Sequence, residues 1–237
     1  MCCQERMYNI MKKFLSLLTV CLMLFSMTAS FAAAEESLID QALSLLDAED
    51  YDAALPLLRE AAEQGDAKGQ YQLGRCYYYG YGAEQDYEKA AQYYLLAAEQ
   101  GDRDAQNDLG CCYYEGAGVE QDYEEAFRYF LLAAEQGDHF GIYNVGVSYY
   151  LGEGVEQDYD KAMEYFRKAA EKDEPAAFFL IGVSYYEGKG NEKDWEKAAE
   201  WFLKALHAGY EPDEEDQGYL TEVMEAEYGL KLVFGES

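Results

Sequence analysis

Basic residues are scarce in this 237-residue chain: 18 Lys and Arg stand against 47 Asp and Glu, for a formal net charge of −29. Nucleic acids and anionic membranes are bound by clustered cations that neutralise phosphate, so the balance argues against both as partners. The same acidity keeps the chain soluble and would steer basic ligands towards it; a solvated acidic surface accounts for the charge most simply, and a basic protein or peptide partner is the alternative. Proline is rarer still, with only Pro56, Pro175 and Pro212. β-Branched residues are few, while Ala, Leu, Glu, Gln, Lys and Tyr dominate. That composition favours helix throughout.

Long apolar runs are missing, apart from 12 residues between Phe14 and Phe25. A membrane-spanning helix needs about 20. Met11-Lys12-Lys13 precedes the run, and Ala32-Ala33-Ala34 follows it ahead of Glu35-Glu36. A basic start, an apolar stretch and a small-residue cleavage site make a bacterial secretory signal peptide. Residues 1–34 are read as that peptide, with Met11 as the true start, because Met1 to Ile10 does not fit the pattern. The chain is therefore expected to be exported, either secreted or kept in the periplasm or envelope, with no stable membrane insertion after cleavage. Cys21 follows Thr19-Val20 inside the apolar run, which speaks against lipidation. Cleavage leaves Cys76, Cys111 and Cys112, an odd number that excludes a fully paired monomer. Cys76 and Cys112 share a repeat position with Ser148 and Ser184 and read as small buried helix residues.

What the sequence does contain is a repeat. Ala67–Asp102, Arg103–Asp138, His139–Glu174 and Pro175–Tyr210 align without gaps, 36 residues each. Gly74, Gly110, Gly146 and Gly182 coincide, as do the Gly-x-Gly pairs that begin at Gly80, Gly116, Gly152 and Gly188. Asp86, Asp122, Asp158 and Asp194 align, and so do Tyr94, Phe130, Phe166 and Phe202. A fixed period of this length is the signature of a solenoid.

Each unit reads as helix, Gly-x-Gly turn, helix. Leu73 and Tyr77 share a helix face. Gly74 lies beside them, and a glycine inside a helix costs about 0.5–1 kcal/mol relative to Ala. Its return in each unit implies a backbone or bulky ring too close for a Cβ. Gly80 is expected to end the first helix in the left-handed conformation, and Asp86 to cap the second. Residues 35–66 read as a modified starting unit without the Gly-x-Gly turn. Residues 211–237 read as an acidic capping helix and tail, since a terminal repeat has no neighbour to cover its face.

No set of residues supports catalysis. His139 and His207 each occur once in the repeat frame. No serine sits in a nucleophile elbow. Gly182 to Gly190 (GVSYYEGKG) has the wrong spacing for a phosphate loop and no Ser or Thr after Lys189. No thiol or His pair has zinc-ligand spacing, and helix capping explains the repeated Asp residues more simply than calcium binding does. Neither a catalytic residue, nor a metal, nor a cofactor is expected.

The pattern Leu73-Gly74, Tyr77, Gly80-x-Gly82, Asp86, Lys89-Ala90, Ala97-Ala98-Glu99-Gln100-Gly101 resembles the Sel-one-like repeat (SLR), a relative of the tetratricopeptide repeat. The resemblance covers Ala67 to Tyr210, and more loosely Leu38 to Asp66. It implies an all-α, right-handed superhelical solenoid of antiparallel helix pairs that acts as an adaptor or scaffold for protein complexes. In such solenoids the first helices line a concave face. The inward stripe would then carry Tyr71, Asn107, Tyr143 and Phe179, next Arg75, Cys111, Val147 and Val183, and finally a one-per-repeat row of Tyr78, Tyr114, Tyr150 and Tyr186. Tyrosine suits interfaces because it is amphipathic and loses little entropy on ordering. A partner protein segment in a Tyr-rich groove is the expected function. The alternative is a carbohydrate or envelope-glycan binder that uses the same rings.

Overall fold

The computed structural model describes residues 37–229; the segment read as a signal peptide lies outside them. Among the described residues there are helices and no strands. The starting unit is α1 (Leu38–Asp47) and α2 (Tyr51–Glu63). The four repeats are α3 (Ala67–Tyr79) with α4 (Tyr87–Glu99), α5 (Arg103–Glu115) with α6 (Tyr123–Glu135), α7 (His139–Leu151) with α8 (Tyr159–Ala170), and α9 (Pro175–Glu187) with α10 (Trp195–His207). Helix α11 (Glu214–Tyr228) closes the series. Each helix packs chiefly on its neighbours in the chain, so the core is a string of small clusters along a solenoid of helix pairs. None of these helices is long and apolar enough to cross a membrane.

Local chemistry sets the boundaries. Asp66, Asp102 and Asp138 accept from backbone N–H groups at the starts of α3, α5 and α7. Asp86, Asp122, Asp158 and Asp194 do the same for α4, α6, α8 and α10. Each satisfies donors that the first turn leaves free. The first helices of the four repeats stop at Gly80, Gly116, Gly152 and Gly188, all left-handed with φ between 72° and 78°. The cap N–H reaches back to the carbonyl of Cys76, Cys112, Ser148 or Ser184.

Within each repeat the two helices meet at the mid-helix glycine. A Cβ on Gly74 would lie 2.7 Å from the Tyr94 ring, and one on Gly110, Gly146 or Gly182 would lie 2.6, 2.7 or 2.5 Å from Phe130, Phe166 or Phe202. The bulky ring expected from the repeat is the aligned aromatic of the second helix.

The second glycine of each turn does something else. On Gly118 and Gly154, a Cβ would come within 2.0 and 1.9 Å of the carbonyl oxygens of Tyr87 and Tyr123. Those residues open the second helix of the preceding unit, so the turn is a contact between units. A polar relay reinforces it: Gln70 and Gln106 donate to the carbonyls of Ala62 and Ala98 in the preceding unit at 3.3 and 3.2 Å, and accept from Gln100 and Gln136 of their own unit at 2.7 and 2.8 Å.

The two irregular places are absorbed. Asp173 takes the left-handed position at φ 59°, where the other units have glycine, and Glu174 caps α9 in place of Asp. At the far end, Leu220, Val223 and Met224 of α11 are fully buried against the last repeat.

Candidate interaction surface

The first helices of three successive repeats share a cleft of about 410 Å³, lined by Tyr71, Arg75, Asn107 and Asp108, with Asp138 and His139 at its far side. A second hollow of about 270 Å³ is lined by Cys111, Tyr114, Tyr143, Asn144 and Val147. Between them lies one of about 210 Å³, bordered by Tyr78, Asp108, Cys111 and Glu115. The face expected from repeat counting is thus recessed, and it brings together Tyr71, Arg75 and Asn107 in one hollow and Tyr114 with Tyr143 in the next.

A polar network crosses this face. The Tyr71 hydroxyl and Asn107 Nδ2 both donate to Asp108 at 3.2 Å. Asn144 in turn donates to Asn107 Oδ1 at 2.9 Å. Burial pushes the Asp108 carboxyl up to about 6, against the opposing hydrogen bonds from Asn107 and Tyr71 and the nearby Arg75 charge. The Arg75 guanidinium lies 5.9 Å from the centres of both the Tyr71 and Tyr79 rings.

The tyrosine row is tied to carboxylates of the following unit. Tyr78 donates to Glu115 at 3.1 Å, Tyr114 to Glu153 at 2.7 Å and Tyr186 to Glu222 at 2.6 Å, while Tyr150 donates to Glu187. Each ring also meets the aromatic residue that opens its own second helix: Tyr87, Tyr123 and Tyr159 edge-on, and Trp195 stacked. Burial raises the hydroxyls of Tyr78, Tyr114 and Tyr150 well above the usual phenol range, and the bond to Glu222 raises Tyr186 to about 12. The row is therefore neutral and donating, and it faces fixed carboxylates.

Three residues assigned to the inward stripe are buried. Phe179 is 3% exposed, not part of an accessible row. It stacks on Tyr210 and packs on Phe202, because α11 covers that end of the solenoid. Val183 is buried in the same cluster. Asn107 is buried too, although its amide borders the first cleft. The sequence reading missed the acceptors Glu115, Glu153, Glu187 and Glu222, as well as Asp108. A usable signal existed for two of them, since Glu115 and Glu187 both precede the turn glycine.

Burial raises the thiols of Cys76, Cys111 and Cys112 to about 11, 12 and 12, so they stay protonated at neutral pH. Among the described residues no three His, Cys, Asp or Glu side chains are grouped as metal ligands.

The Sel1 repeat model matches residues 46–66, 67–102, 103–138, 139–174 and 175–210. The chain is similar to the crystal structure of a protective antigen from uropathogenic Escherichia coli that displays an SLR fold, with 33% identity and a TM-score of 0.72 over 87% of this chain. It spans 45% of that antigen's length. It is also similar to a Sel1 repeat protein from Oxalobacter formigenes, with 32% identity and a TM-score of 0.66 over 79% of this chain and 75% of the other. A Sel1 repeat protein from Klebsiella pneumoniae shares the fold at 22% identity and a TM-score of 0.51, over 77% of this chain and 89% of the other. Comparison with curated protein sequences gives no match. Sel1 repeats serve in general as protein–protein interaction scaffolds, and this chain, with its five matched units, belongs to the Sel1 repeat family.

Proposed function

We propose that the chain is an exported scaffold that holds a segment of a partner protein along the face of its first helices, in contact with Tyr71, Arg75, Tyr78, Tyr114, Tyr143 and Tyr150. The observation that carries this reading is the set of adjoining hollows across α3, α5 and α7. A continuous recess lined by tyrosines and carboxylates suits an extended or helical polypeptide that engages several units at once. The acidity of that face, with Asp104, Asp108, Glu115 and Asp138 along it, favours a basic segment. Catalysis forms no part of the proposal.

The test is capture of partners from the exported proteome on the immobilised chain, followed by the same capture with Tyr114→Ala and Tyr150→Ala. A hot-spot ring at the centre of an interface is worth about 2 kcal/mol or more, so each variant is expected to weaken a captured partner roughly thirtyfold. A partner bound equally well by both variants would place the interface elsewhere. Binding on a glycan array without protein capture would favour the carbohydrate reading.

A further inference from the structure

We propose that Tyr78, Tyr87 and Glu115 form a niche for a lysine side chain supplied by the partner. The inference rests on the reading that this face receives a polypeptide, and it names the chemistry of one contact. Its basis is internal to the solenoid. Two repeats further on, at a spacing of 72 residues, the same three positions are Tyr150, Tyr159 and Glu187. There the chain supplies its own cation. Lys189 Nζ lies 2.9 Å from Glu187, 5.1 Å from the centre of the Tyr150 ring and 5.5 Å from that of Tyr159. A carboxylate and two ring faces around an ammonium combine an ion pair with cation–π attraction.

The frame of the first niche repeats that geometry. Tyr78 and Tyr87 meet edge-on at 5.0 Å and 69°, against 5.2 Å and 69° for Tyr150 and Tyr159. Tyr78 donates to Glu115 just as Tyr150 donates to Glu187. The residue between the turn glycines is Ala117 where the later repeat has Lys189, and Tyr79, at the place of Leu151, adds a further ring edge-on to Tyr78 at 5.0 Å. Among the described residues Glu115 has no ion-pair partner, and Tyr87 is 42% exposed. The fourth ring shows the same preference, with Lys193 lying 5.2 Å from the centre of Tyr186 and 5.3 Å from that of Trp195. The last two rings of the row thus carry lysines of this chain. The first presents the same walls and carboxylate without one.

The probe is a tetralysine peptide, titrated calorimetrically into the full chain at low ionic strength, with its fully Nε-acetylated form as the comparison. Ala117→Lys should fill the niche from within, as Lys189 does, and lower tetralysine affinity at least tenfold. Gln92→Lys adds the same charge at an exposed position of α4 and should change affinity less than twofold. The acetylated peptide should not bind. Tyr87→Leu, which removes the ring face at an exposed apolar position, and Glu115→Gln, which keeps the shape without the charge, should each weaken binding at least fivefold, and they carry the test if Ala117→Lys does not fold. Equal losses for Ala117→Lys and Gln92→Lys would reduce the effect to general acidity and overturn the niche. So would the absence of tetralysine binding, or full binding by Tyr87→Leu and Glu115→Gln. A captured partner that still depends on Tyr114 in any of those cases would leave the groove standing and the niche refuted.

Discussion

Glycine carries the fold at the scale of single residues, and it does so in two ways. Gly110 sits where a Cβ would meet the Phe130 ring at 2.6 Å, so Gly110→Val should destabilise by about 1–3 kcal/mol through overpacking. Asp173 shows the converse. It holds a left-handed φ of 59°, which costs an L-residue about 1–2 kcal/mol, and less for Asp than for most. Asp173→Gly should therefore stabilise by about 0.5 kcal/mol once the extra chain entropy of glycine is set against it. Urea unfolding midpoints for the two variants are expected to move in opposite directions. A stable Gly110→Val would mean that the Phe130 ring can move aside. Gly110 was legible because its partner recurs as an aromatic residue in the same register. The reason for Gly118 was not, since the group it approaches is the carbonyl of Tyr87. Every residue has a carbonyl, so no side-chain pattern announces that contact.

Between elements, the informative contact is the network joining α3, α5 and α7 through Tyr71, Asp108, Asn107 and Asn144. Asp108 is drawn out of water with hydrogen-bond donors on one side and Arg75 and Asp104 nearby. Its carboxyl titrates at about 6 in the fold, against about 3.9 in an unfolded chain. Between those values the folded state holds more protons than the unfolded one, so this group's contribution to stability falls as pH rises from about 4 to 6. One pKa unit is worth about 1.4 kcal/mol, and Asp108→Asn should remove a pH-dependent loss of about 1–3 kcal/mol. The check is the difference in unfolding free energy between variant and parent, measured at pH 4 and pH 7. A difference that does not change with pH would show that Asp108 titrates normally. The tyrosine row itself was readable from the period, but of its acceptors only Glu115 and Glu187 left a signal. Leu151 stands where Glu115 and Glu187 stand in other repeats, and Glu153 from the next turn takes over as acceptor for Tyr114. An interaction that changes sequence offset between repeats is invisible to a reading that relies on a constant offset.

At the scale of the whole molecule, a solenoid's stability is close to a sum of unit and nearest-neighbour terms, so its ends are where it fails first. The end of the repeat at Tyr210 and the helix beyond it could be read from the sequence. How deeply that helix alters the last unit could not, because Phe179 aligns with Tyr71 and Tyr143 and gives no sign of being covered. In the structure Leu220, Val223 and Met224 are fully buried against a cluster that includes Phe179 and Phe202. Burying side chains of this kind contributes about 1.5–3 kcal/mol each. Removing residues 211–237 would expose that cluster, and the loss should be local. Amide hydrogen exchange is expected to accelerate at least tenfold across α9 and α10, while protection in α3 to α6 stays within about threefold of the parent. The separation of those regions is what makes the prediction sharp, since α7 to α10 stand between α3–α6 and the deleted helix in the order of packing. Uniform loss of protection along the chain would mean that the units fold as one cooperative block, and the nearest-neighbour description of this protein would have to be abandoned.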